Sequence, residues 1–599
     1  MSTKDPHEVA AVLEKVAQLL ELEGGNPFKV RAYLRAARTL EQLSEPLERL
    51  VDEGRLGAIE GIGKALEEKI IELVTTGHLT YYEELRSHFP DSLFELFEIP
   101  GLGAKKIRFL HQELKVDSID DLEQVCLSGK VASLPGFGSK SAANIEKGIL
   151  FYRRHIGQFR LDQVSLLAEE LLGDLRAHPA VGQCQSAGSF RRRKEALGDL
   201  DLIVSSTNPE AVSSFFVNHS LVAEVLMQGP TKSSVRLKNE ESESGLQCDL
   251  RVVKPEEFPF ALLYFTGSKE HNIRVRSRAL EQGWSLNEYG FTPQEGAVSP
   301  PPPIRTEEEL YRSLKLSFIP PELREDRGEI AAAAAGRLPK LLEWTDLRGT
   351  FHCHTKSSDG ENTLLEMATA AEELGLEYLG IADHSKSSFQ AHGLHEKELL
   401  AQVREIQTWN QSEKNIHLFA GTECDILKDG SLDFSNEILA QLDYVVASVH
   451  SSFTLDEAAM THRLIRTMEN PYVTMIGHLT GRLLFSREPY AINIPAVLEA
   501  AAATKTFIEL NASPHRLDLD WRWWPLAKEK GVRCVINPDA HRISGFQNLR
   551  FGVDSARKGW LTREDVVNTL PLKKIVEVLD IKKASVHGNE SGCRLQLIR

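Results

Sequence analysis

Three aspartates in the first half of the chain have the spacing of a two-metal site. Asp199 and Asp201 stand one residue apart in GDLDLIV, and alternation along a strand would put both carboxylates on one face. Asp249 lies in a second strand-like run, QCDLRVV, and would complete the ligand set. Paired divalent cations activate a hydroxyl and stabilise a leaving pyrophosphate, which is the chemistry of nucleotidyl transfer. The sequence therefore predicts a catalytic site that uses Mg²⁺ or Mn²⁺.

A second set of metal-ligand candidates lies in the C-terminal half. Most of them follow short apolar runs, so residues far apart in sequence would meet where parallel strands end. A single histidine is more often a core or surface residue than a ligand, but that explanation does not account for so many recurrences. Imidazole mixed with carboxylate suits zinc, manganese or iron, and the number of ligands predicts two or three ions. The candidates are His352, His354, Asp359, His384, Glu423, His450, His478, Asp539 and His541.

Seven β-rich runs, separated by amphipathic helical stretches, must position these ligands. The pattern begins at Gly349 and is typical of repeated βα units, which predicts a barrel-like α/β domain. Residues 299–303 have the sequence SPPPP, and such stiff extended chain predicts a boundary between the two halves. The predicted strands are GTFHCHT, EYLGIADHS, HLFAGTECD, YVVASVHSS, VTMIGHLT, TFIELNAS and RCVINPDAH.

A glycine repeat near the N-terminus predicts contacts with phosphate. Three Gly-x-Gly turns are each followed within two residues by a lysine and then by a helical pattern. A glycine turn that opens a helix directs backbone N–H groups and the positive end of the helix dipole towards an anion. One such turn also fits an ordinary helix start, whereas three with lysines favour a phosphate site. They resemble helix-hairpin-helix motifs, and that resemblance implies binding of the DNA backbone without reading of the sequence. The residues are Gly61, Gly63, Lys64, Gly101, Gly103, Lys105, Gly136, Gly138 and Lys140.

Length and composition limit the classes of protein. A chain of 599 residues needs several domains, and 42% hydrophobic with 26% charged residues is ordinary for a soluble protein. No apolar run approaches the roughly 20 residues of a membrane helix, and the first residues predict a helix rather than a signal peptide. The seven cysteines form no C-x-x-C pair, which favours reduced thiols in a cytosol. A net charge of −16 restricts DNA contacts to local basic patches.

The first 327 residues or so resemble the family X DNA polymerases. The resemblance rests on GSFRR, GDLDL, the later aspartate and YFTGS, in that order. It implies that the three aspartates are the catalytic metal ligands, that Asn272 lies near the base edge and that Arg276 lies near the template. It also implies a pocket for the incoming triphosphate and sugar, formed by Gly188, Ser189, Arg192, Tyr264, Phe265 and Gly267.

This half departs from polymerase β at one position and contains one acidic loop. Gln247 stands two positions before the third aspartate, where polymerase β carries arginine, so less positive charge is expected beside that carboxylate. Slower or more metal-sensitive transfer would follow. The acidic loop at residues 238–245 is expected to protrude into solvent as a hairpin tip.

The same resemblance raises the question of a lyase. Lys69 falls on the lysine that forms a Schiff base during removal of deoxyribose phosphate, in a domain that binds a 5′-phosphate. An attacking amine must be deprotonated, and cations such as Lys29 or Lys64 would lower its pKa. Glu67 and Glu68 stand beside it, however, and helical lysines near glutamates are usually plain surface charges. The sequence is compatible with either role.

The C-terminal half resembles the PHP (polymerase and histidinol phosphatase) domain from residue 346 to about residue 580. That resemblance implies metal-assisted attack on a phosphate ester. Arg482, just beyond the His478 position, is either a ligand for substrate phosphate or an ordinary loop arginine. The implied metal ligands are His352, His354, Glu423 and Asp539 for the first ion, Glu423, His450 and His478 for the second, and Asp359, His384 and His541 for the third.

These patterns together predict a multidomain α/β protein. It would combine helical helix-hairpin-helix N-terminal domains, a polymerase β-like nucleotidyltransferase palm and thumb, and a C-terminal seven-stranded (βα) PHP barrel. The predicted segments are 1–83 for a domain of the 8-kDa type that binds DNA ends, 84–155 for helix-hairpin-helix fingers, 156–255 for the palm, 256–327 for the thumb, 328–345 for a linker and 346–585 for the PHP domain.

The leading functional hypothesis is a polymerase that fills short gaps in DNA repair, including base excision repair. Its PHP domain would act as a 3′-5′ exonuclease, with abasic-site endonuclease or 3′-phosphatase action as further activities. The alternative is a PHP phosphoesterase whose weakly active polymerase half is a DNA-binding arm. A non-catalytic scaffold is disfavoured because both ligand sets are intact. Expected partners are gapped or primer–template DNA and dNTPs, with no membrane; a monomer in the bacterial cytoplasm, acting at the nucleoid, is expected.

Overall fold

The computed structural model describes residues 6–41, 47–59, 61–238, 245–295, 300–412 and 415–584. Two compact units divide the chain, Met1–Ile156 and Gly157–Arg599. Most of the acidic loop that was expected to form a hairpin tip, together with Ser299 and Cys593, lies outside the described residues. Within the described ranges, no helix is both long and apolar enough to cross a membrane.

The N-terminal unit is built from helices around two hydrophobic clusters. Each predicted Gly-x-Gly turn opens a helix, because Gly63 and Gly103 are the residues before α4 and α7, and Gly138 begins α9. The prediction of three helix starts is therefore confirmed. The helices are α1 (Pro6–Glu23), α2 (Pro27–Glu41), α3 (Leu47–Asp52), α4 (Lys64–Thr76), α5 (Thr80–Arg86), α6 (Asp91–Phe94), α7 (Ala104–Leu114), α8 (Ile119–Leu127) and α9 (Gly138–His155).

The second unit begins with a five-stranded sheet in the order β2-β4-β7-β6-β5. Strands β4 and β7 pair in parallel, and the other neighbours pair antiparallel. A separate pair joins β1 to β3. The elements are β1 (Phe159–Arg160), α10 (Leu161–Ala177), β2 (Gln183–Ser186), α11 (Gly188–Arg191), β3 (Ala196–Leu197), β4 (Asp199–Ser205), α12 (Pro209–Val217), β5 (Val222–Met227), β6 (Lys232–Leu237) and β7 (Leu246–Val253).

The next segment packs four helices and a hairpin around the ring of Tyr311. Its elements are α13 (Phe258–Thr266), α14 (Lys269–Glu281), β8 (Trp284–Asn287), β9 (Gly290–Pro293), α15 (Glu307–Ser313) and α16 (Glu329–Ala334).

Buried charges hold this segment together. Arg324, which is fully buried, donates to Glu307 over 2.7 Å, and Arg191 donates to the other oxygen of the same carboxylate over 2.6 Å. Burial opposes ionisation of Glu307, but the two guanidinium groups outweigh it and lower its pKa to about 2. Glu329 is also fully buried and lies 2.7 Å from His271. Part of the predicted linker at residues 328–345 therefore forms a helix that packs on this segment.

The remainder of the chain alternates strands and helices, as the sequence predicts. Parallel strands form one sheet in the order β10-β11-β12 and another in the order β13-β14-β15-β16-β17. The strands are β10 (Gly349–Cys353), β11 (Tyr378–Ile381), β12 (His417–Ala420), β13 (Glu423–Asp425), β14 (Val446–Ser448), β15 (Met475–Ile476), β16 (Phe507–Asn511) and β17 (Cys534–Asn537). The helices are α17 (Leu364–Glu373), α18 (Glu396–Asn410), α19 (Asn436–Leu439), α20 (Glu457–Glu469), α21 (Ile494–Thr504), α22 (Trp524–Glu529), α23 (Leu549–Lys558) and α24 (Leu572–Ala584).

All seven predicted runs form strands, and the third divides into β12 and β13 around Gly421 and Thr422. Isolated parallel bridges connect the two sheets, from His384 to Glu423 at one side and from Cys353 to Ala540 at the other. Closure into a single seven-stranded barrel stays a prediction. The pairing nevertheless brings the carboxyl ends of all these strands towards a common edge.

We predict that Arg324→Met lowers the free energy of unfolding by about 3 kcal/mol, because the buried Glu307 carboxylate loses one of its two paired cations and keeps only Arg191. Urea titration followed by tryptophan fluorescence measures the change. Arg274→Met is the matched control: Arg274 pairs with Asp326 over 3.3 Å, but 63% of its side chain is exposed. That exposed pair should contribute under about 1 kcal/mol, so equal losses in the two variants would contradict the prediction.

Candidate metal centres and nucleotide pocket

The first candidate centre lies where the two parallel strands of the five-stranded sheet run side by side. Asp201 on β4 and Asp249 on β7 are direct partners in the register, and Asp199 pairs with Gln247 two residues earlier. Asp199 and Asp201 were predicted to share one face of a strand, and the pairing places Asp249 on the neighbouring strand directly beside Asp201. Burial, together with Asp199 and Asp249, raises the pKa of Asp201 to about 7. A cation bound among these carboxylates would relieve their mutual repulsion.

Asp249 has a positive partner that the sequence analysis missed. Lys232 on β6 places its ammonium 2.6 Å from Asp249 Oδ2, and Gln247 donates to Oδ1 over 3.1 Å. Burial raises the pKa of Asp249, but these contacts outweigh it and leave the pKa below its usual value. The expected shortage of positive charge beside this carboxylate is thus wrong, because a neighbouring strand supplies a cation that no local motif contains.

The three aspartates do not yet form a closed ligand cage. Among the described residues, the groups whose ligand atoms all lie within 4.8 Å of one another belong to the C-terminal half. In the first half, the ammonium of Lys232 contacts Asp249 Oδ2. Lys232 would therefore compete with a divalent cation for that oxygen.

A glycine turn lies directly against these aspartates. Gly188 has φ +59°, and a Cβ added there would lie 2.2 Å from Asp201 Oδ2, so both the backbone conformation and the space require glycine. Helix α11 begins at this residue and contains Ser189. Arg192 follows the helix and donates from Nη1 to the carbonyl of Thr266 over 2.7 Å. The residues predicted to bind a triphosphate are therefore brought beside the predicted metal ligands.

The YFTGS segment closes the other side of this pocket. A Cβ on Gly267 would lie 2.5 Å from the amide nitrogen of Asn272, which itself donates to the carbonyl of Tyr264 over 2.6 Å. The ring of Phe265 lies 4.1 Å from the guanidinium carbon of Arg251. Arg276 is exposed on α14. The structure thus groups the predicted sugar and base-edge residues, and Arg276 lies on the helix that follows them.

The second candidate centre is organised around Glu423, at the start of β13 and 1% exposed. His478 Nε2 lies 2.9 Å from its Oε1, and His450 Nε2 lies 3.3 Å from the same oxygen. His384 Nδ1 lies 2.9 Å from Oε2. His352 Nε2 also lies 3.3 Å from Oε1. His354 Nε2 lies 3.8 Å from Oε2, so one buried carboxylate contacts five imidazoles, which come from four strand ends.

All nine predicted ligands belong to four overlapping groups. Asp359 lies at the open side, with His384 Nε2 at 3.5 Å and His541 Nε2 at 3.4 Å. The division among three ions stays a prediction, since several residues belong to two groups. The groups are His354, Asp359, His384 and His541; His352, His354 and Asp539; His352, Glu423 and His478; and His384, Glu423 and His450.

Buried nitrogen atoms without partners show that this cluster fits metal ions. His352 and His354 are fully buried, yet His352 Nε2 and both ring nitrogens of His354 have no hydrogen-bond partner. Leaving a buried polar atom unsatisfied costs about 1–3 kcal/mol. Burial and the neighbouring His541 and His384 lower the pKa of His354 to about 4, so its ring is neutral and free to bind a cation. The donor set matches the imidazole and carboxylate chemistry expected from the sequence.

Three carboxylates behind the ligands hold the imidazoles in place. Glu509 lies 2.6 Å from His352 Nδ1 and Asp425 lies 2.7 Å from His450 Nδ1, so the Nε2 atoms are directed towards Glu423. Asp383 accepts from Thr355 N over 2.7 Å, which fixes the loop after His354. The sequence analysis did not identify these acids. Their signal was a carboxylate within an otherwise apolar strand, as in TFIELNAS.

The backbone at this centre is constrained as well. His352, His478 and Asp539 have φ values of +55°, +23° and +52°, in the left-handed region that favours glycine. Such conformations cost of order 1–3 kcal/mol each and persist where surrounding contacts fix them. The fold therefore stores strain at three of the predicted metal-ligand positions.

Arg482 is not free to hold a substrate. Its guanidinium donates to Asp520 and to the carbonyls of Arg516 and Leu517, and it is 8% exposed. Arg516 is the arginine that faces the cluster, with Nε 3.5 Å from Asp539 Oδ2 and with Nη1 buried and unpartnered. These contacts match the loop-arginine interpretation of Arg482, and Arg516 becomes the candidate for a phosphate contact.

In the N-terminal unit, Lys69 lies beside an aromatic ring. Its ammonium is 4.8 Å from the centre of the Tyr81 ring, and that of Lys29 is 4.5 Å away and donates to the Tyr81 hydroxyl over 2.6 Å. Glu67, which the sequence analysis placed beside Lys69, instead accepts from Gly57 N over 3.1 Å. Two amines therefore share one tyrosine.

Family models match four stretches of the chain. They are a helix-hairpin-helix domain at residues 5–79, a SAM-like helix-hairpin-helix tandem at 93–147, a DNA polymerase beta thumb at 261–325 and a PHP domain at 350–513.

Curated proteins share these regions. Rat DNA polymerase lambda is 25% identical over 52% of this chain and 55% of its own length. A probable phosphatase of Thermoanaerobacter sp. is 30% identical over 40% of this chain and 97% of its own length. The DNA polymerase/3′-5′ exonuclease PolX of Bacillus subtilis is 37% identical over 95% of this chain and 98% of its own length. The chain therefore belongs to the bacterial family X DNA polymerases that carry a C-terminal PHP domain with 3′-5′ exonuclease activity.

Proposed function

We propose that this polymerase fills short gaps during DNA repair, base excision repair included, and that its PHP domain prepares the 3′ ends. The observation that carries the polymerase part is the parallel register of Asp201 with Asp249, beside the glycine turn at Gly188. Divalent cations at this site, Mg²⁺ or Mn²⁺, would activate the primer hydroxyl and neutralise charge on the leaving pyrophosphate. Gapped or primer–template DNA and dNTPs are the proposed substrates.

Residues around the aspartates have distinct roles in this proposal. Ser189 and the backbone of α11 bind the triphosphate, since a short turn after glycine presents N–H groups to an anion. Arg192 adds a positive charge to the same pocket. Tyr264, Phe265 and Gly267 leave no room for a ribose 2′-hydroxyl, Asn272 contacts the base edge, and Arg276 contacts the template.

In the PHP domain, the buried cluster around Glu423 would hold two or three Zn²⁺ or Mn²⁺ ions, or iron. When bound, these ions would supply a nucleophile at neutral pH and offset the charge that develops on phosphorus. Glu509 and Asp425 orient the imidazoles, and Arg516 holds a phosphate oxygen of the terminal nucleotide. The substrate proposed is a 3′-terminal phosphodiester, with abasic-site cleavage and 3′-phosphate removal as related reactions.

The N-terminal domains would bring this chemistry to DNA. We propose that the glycine turns and their lysines bind the backbone of the duplex, since Lys64, Lys105 and Lys140 are exposed at helix starts. The domain boundaries predicted from the sequence serve as the working division of the chain. Action as a monomer at the nucleoid in the cytoplasm fits this proposal.

A second candidate function has the polymerase half as a weakly active DNA-binding arm for the PHP nuclease. The ion pair between Lys232 and Asp249 favours it, because that ammonium competes with a divalent cation for Asp249 Oδ2. Strong extension at the aspartate site would exclude this alternative.

Two double variants test the division of labour on one gapped duplex with Mn²⁺. Asp199→Ala with Asp201→Ala should reduce primer extension at least about a thousandfold and leave 3′ trimming within twofold, because the metal sites share no ligand. His352→Ala with His354→Ala should do the reverse. Metal content measured on each protein shows which ions were lost. Loss of both activities in either variant would contradict the two-site proposal.

Arg516 can be tested separately from the metal ligands. Arg516→Met should raise the KM for 3′-phosphodiester cleavage by about tenfold, because one charge-assisted contact to phosphate is removed. Arg516→Lys, which keeps the charge, should retain most of the affinity, and metal content should be unchanged in both. An unchanged KM in the methionine variant would remove Arg516 from the proposed substrate site.

Lyase chemistry would depend on an amine beside Tyr81. Borohydride reduction of the protein on a 5′-deoxyribose-phosphate end should trap a covalent adduct that Lys69→Ala abolishes, because only a lysine amine forms the reducible Schiff base. Lys29→Ala, which removes the other amine at the same ring, serves as the control and should trap normally. Trapping that survives in Lys69→Ala would show that Lys69 is not the nucleophile, and its loss in Lys29→Ala instead would assign the role to Lys29.

A further inference from the structure

One face of helix α23 in the PHP domain contacts the polymerase half. The contacting residues recur at helical spacing, so they share a face of the helix. In the sequence, α23 follows strand β17 and the metal-ligand candidates Asp539 and His541. The contacts are Arg550 to Glu169 at 3.3 Å, Phe551 in the core of the five-stranded sheet, Asp554 to Arg193 at 3.5 Å, Arg557 to Glu322 at 2.8 Å, and Lys558 to Glu325 at 2.6 Å.

Lys558 is the deepest of these contacts. Its side chain has no exposed surface, and the ammonium donates to Glu325 over 2.6 Å and to the carbonyl of Arg192 over 3.0 Å. It also lies 4.5 Å from the centre of the Trp521 ring. A lysine is almost never fully buried unless it is paired, and the paired carboxylate here is that of Glu325.

That partner also binds Arg192. Glu325 Oε1 accepts from Arg192 Nε over 3.0 Å, and both side chains are 12% exposed. Arg192 Nη1 reaches the carbonyl of Thr266, the residue before Gly267. A continuous chain of contacts therefore joins a PHP lysine to the arginine of the nucleotide pocket.

The charges of Lys558, Glu325 and Arg192 determine what Lys558 contributes to nucleotide binding. Arg192 and Glu325 alone make a neutral pair, which has little attraction for a triphosphate. With Lys558 the group carries one net positive charge, and Glu325 divides its interaction between two cations. Because the three side chains are largely removed from water, these interactions are weakly screened.

The loop that carries Arg192 has a second attachment to the PHP domain. Glu195 accepts from Trp521 Nε1 over 3.1 Å and from Arg522 over 3.1 Å. Burial opposes ionisation of Glu195, but Arg522, Arg482 and Lys558 outweigh it and lower its pKa to about 2. The loop between α11 and β3 is thus held at both ends by one neighbouring domain.

We propose that Lys558 is a positioning residue for the polymerase reaction: it holds the Arg192 carbonyl and offsets the charge of Glu325, and so leaves the Arg192 guanidinium in place with its charge available to the incoming nucleotide. The inference rests on the proposed role of Arg192 in triphosphate binding. Under it, the PHP domain completes the nucleotide pocket, independently of its metal ions.

Single-nucleotide insertion into a gapped duplex, with the dNTP titrated at saturating DNA, tests the proposal on the full-length protein. Lys558→Met should raise the KM for dNTP about tenfold with kcat within about twofold, because it weakens binding of the nucleotide without touching the metal ligands. The KM for DNA and the rate of 3′ trimming should stay within twofold. Lys558→Arg, which keeps the charge, should restore most of the affinity.

Two further variants separate positioning from general adhesion between domains. Arg550→Met removes another contact of the same helix and should leave the KM for dNTP unchanged. Lys558→Met combined with Glu325→Gln removes the carboxylate that would neutralise Arg192, so its KM should return towards that of the parent. An unaltered KM in Lys558→Met, or a double variant as impaired as the single one, would overturn the proposal. If the methionine variant does not fold, Lys558→Gln gives the same comparison.

Arg192→Met distinguishes failure of the positioning role of Lys558 from failure of the proposed role of Arg192 in triphosphate binding. A raised KM for dNTP in Arg192→Met, with none in Lys558→Met, would overturn the positioning role alone. An unaltered KM in Arg192→Met would remove Arg192 from the nucleotide pocket, and the role of Lys558 with it.

Discussion

Parallel pairing of neighbouring strands is the constraint on which both metal centres depend. In the five-stranded sheet, β4 and β7 are its only parallel pair, and their register puts Asp201 directly beside Asp249. In the PHP domain every strand of the two sheets runs parallel, so side chains from distant parts of the chain meet at the strand ends around Glu423. Parallel pairing gathers carboxylates at one edge, and the resulting repulsion is what a cation relieves.

The two centres offset this concentration of charge in different ways. Five imidazoles contact Glu423 within the PHP cluster, and further carboxylates behind them orient two of the rings. The aspartate site has no imidazole within its set and instead has Lys232, which lies against Asp249. In the PHP cluster the charge of Glu423 is therefore offset by neighbouring imidazoles, whereas at the aspartate site it is the ammonium of a neighbouring strand that offsets the charge of Asp249.

Residues that act through local spacing were predictable from the sequence, and residues that act through tertiary contacts were not. Asp199 and Asp201 follow from strand alternation, and the nine PHP ligands follow from their recurrence after apolar runs. Lys232 and Arg516 have no such pattern, because each meets its partner only when separate strands or loops pack. Glu509 had a local signal, a carboxylate within an apolar strand, but its contact with His352 also depends on that packing. Arg482 is the opposite case. Its position beside His478 suggested a substrate contact, but its hydrogen bonds to Asp520 and to backbone carbonyls exclude that contact.

Chemical separation of the two centres does not make them structurally independent. They share no metal ligand, yet Leu517 and Phe551 of the PHP domain pack in the hydrophobic core of the five-stranded sheet, and Trp521 binds Glu195 only four residues before Asp199. An apolar core shared in this way resists separation of the two halves, since exposing both side chains would cost about 1.5–3 kcal/mol each. Removing the metals should therefore leave the shared core intact, whereas disrupting the core should disturb the loop from Arg191 to Glu195. Packing is therefore what connects the PHP domain to the five-stranded sheet in the structure, since the two candidate metal centres share no ligand.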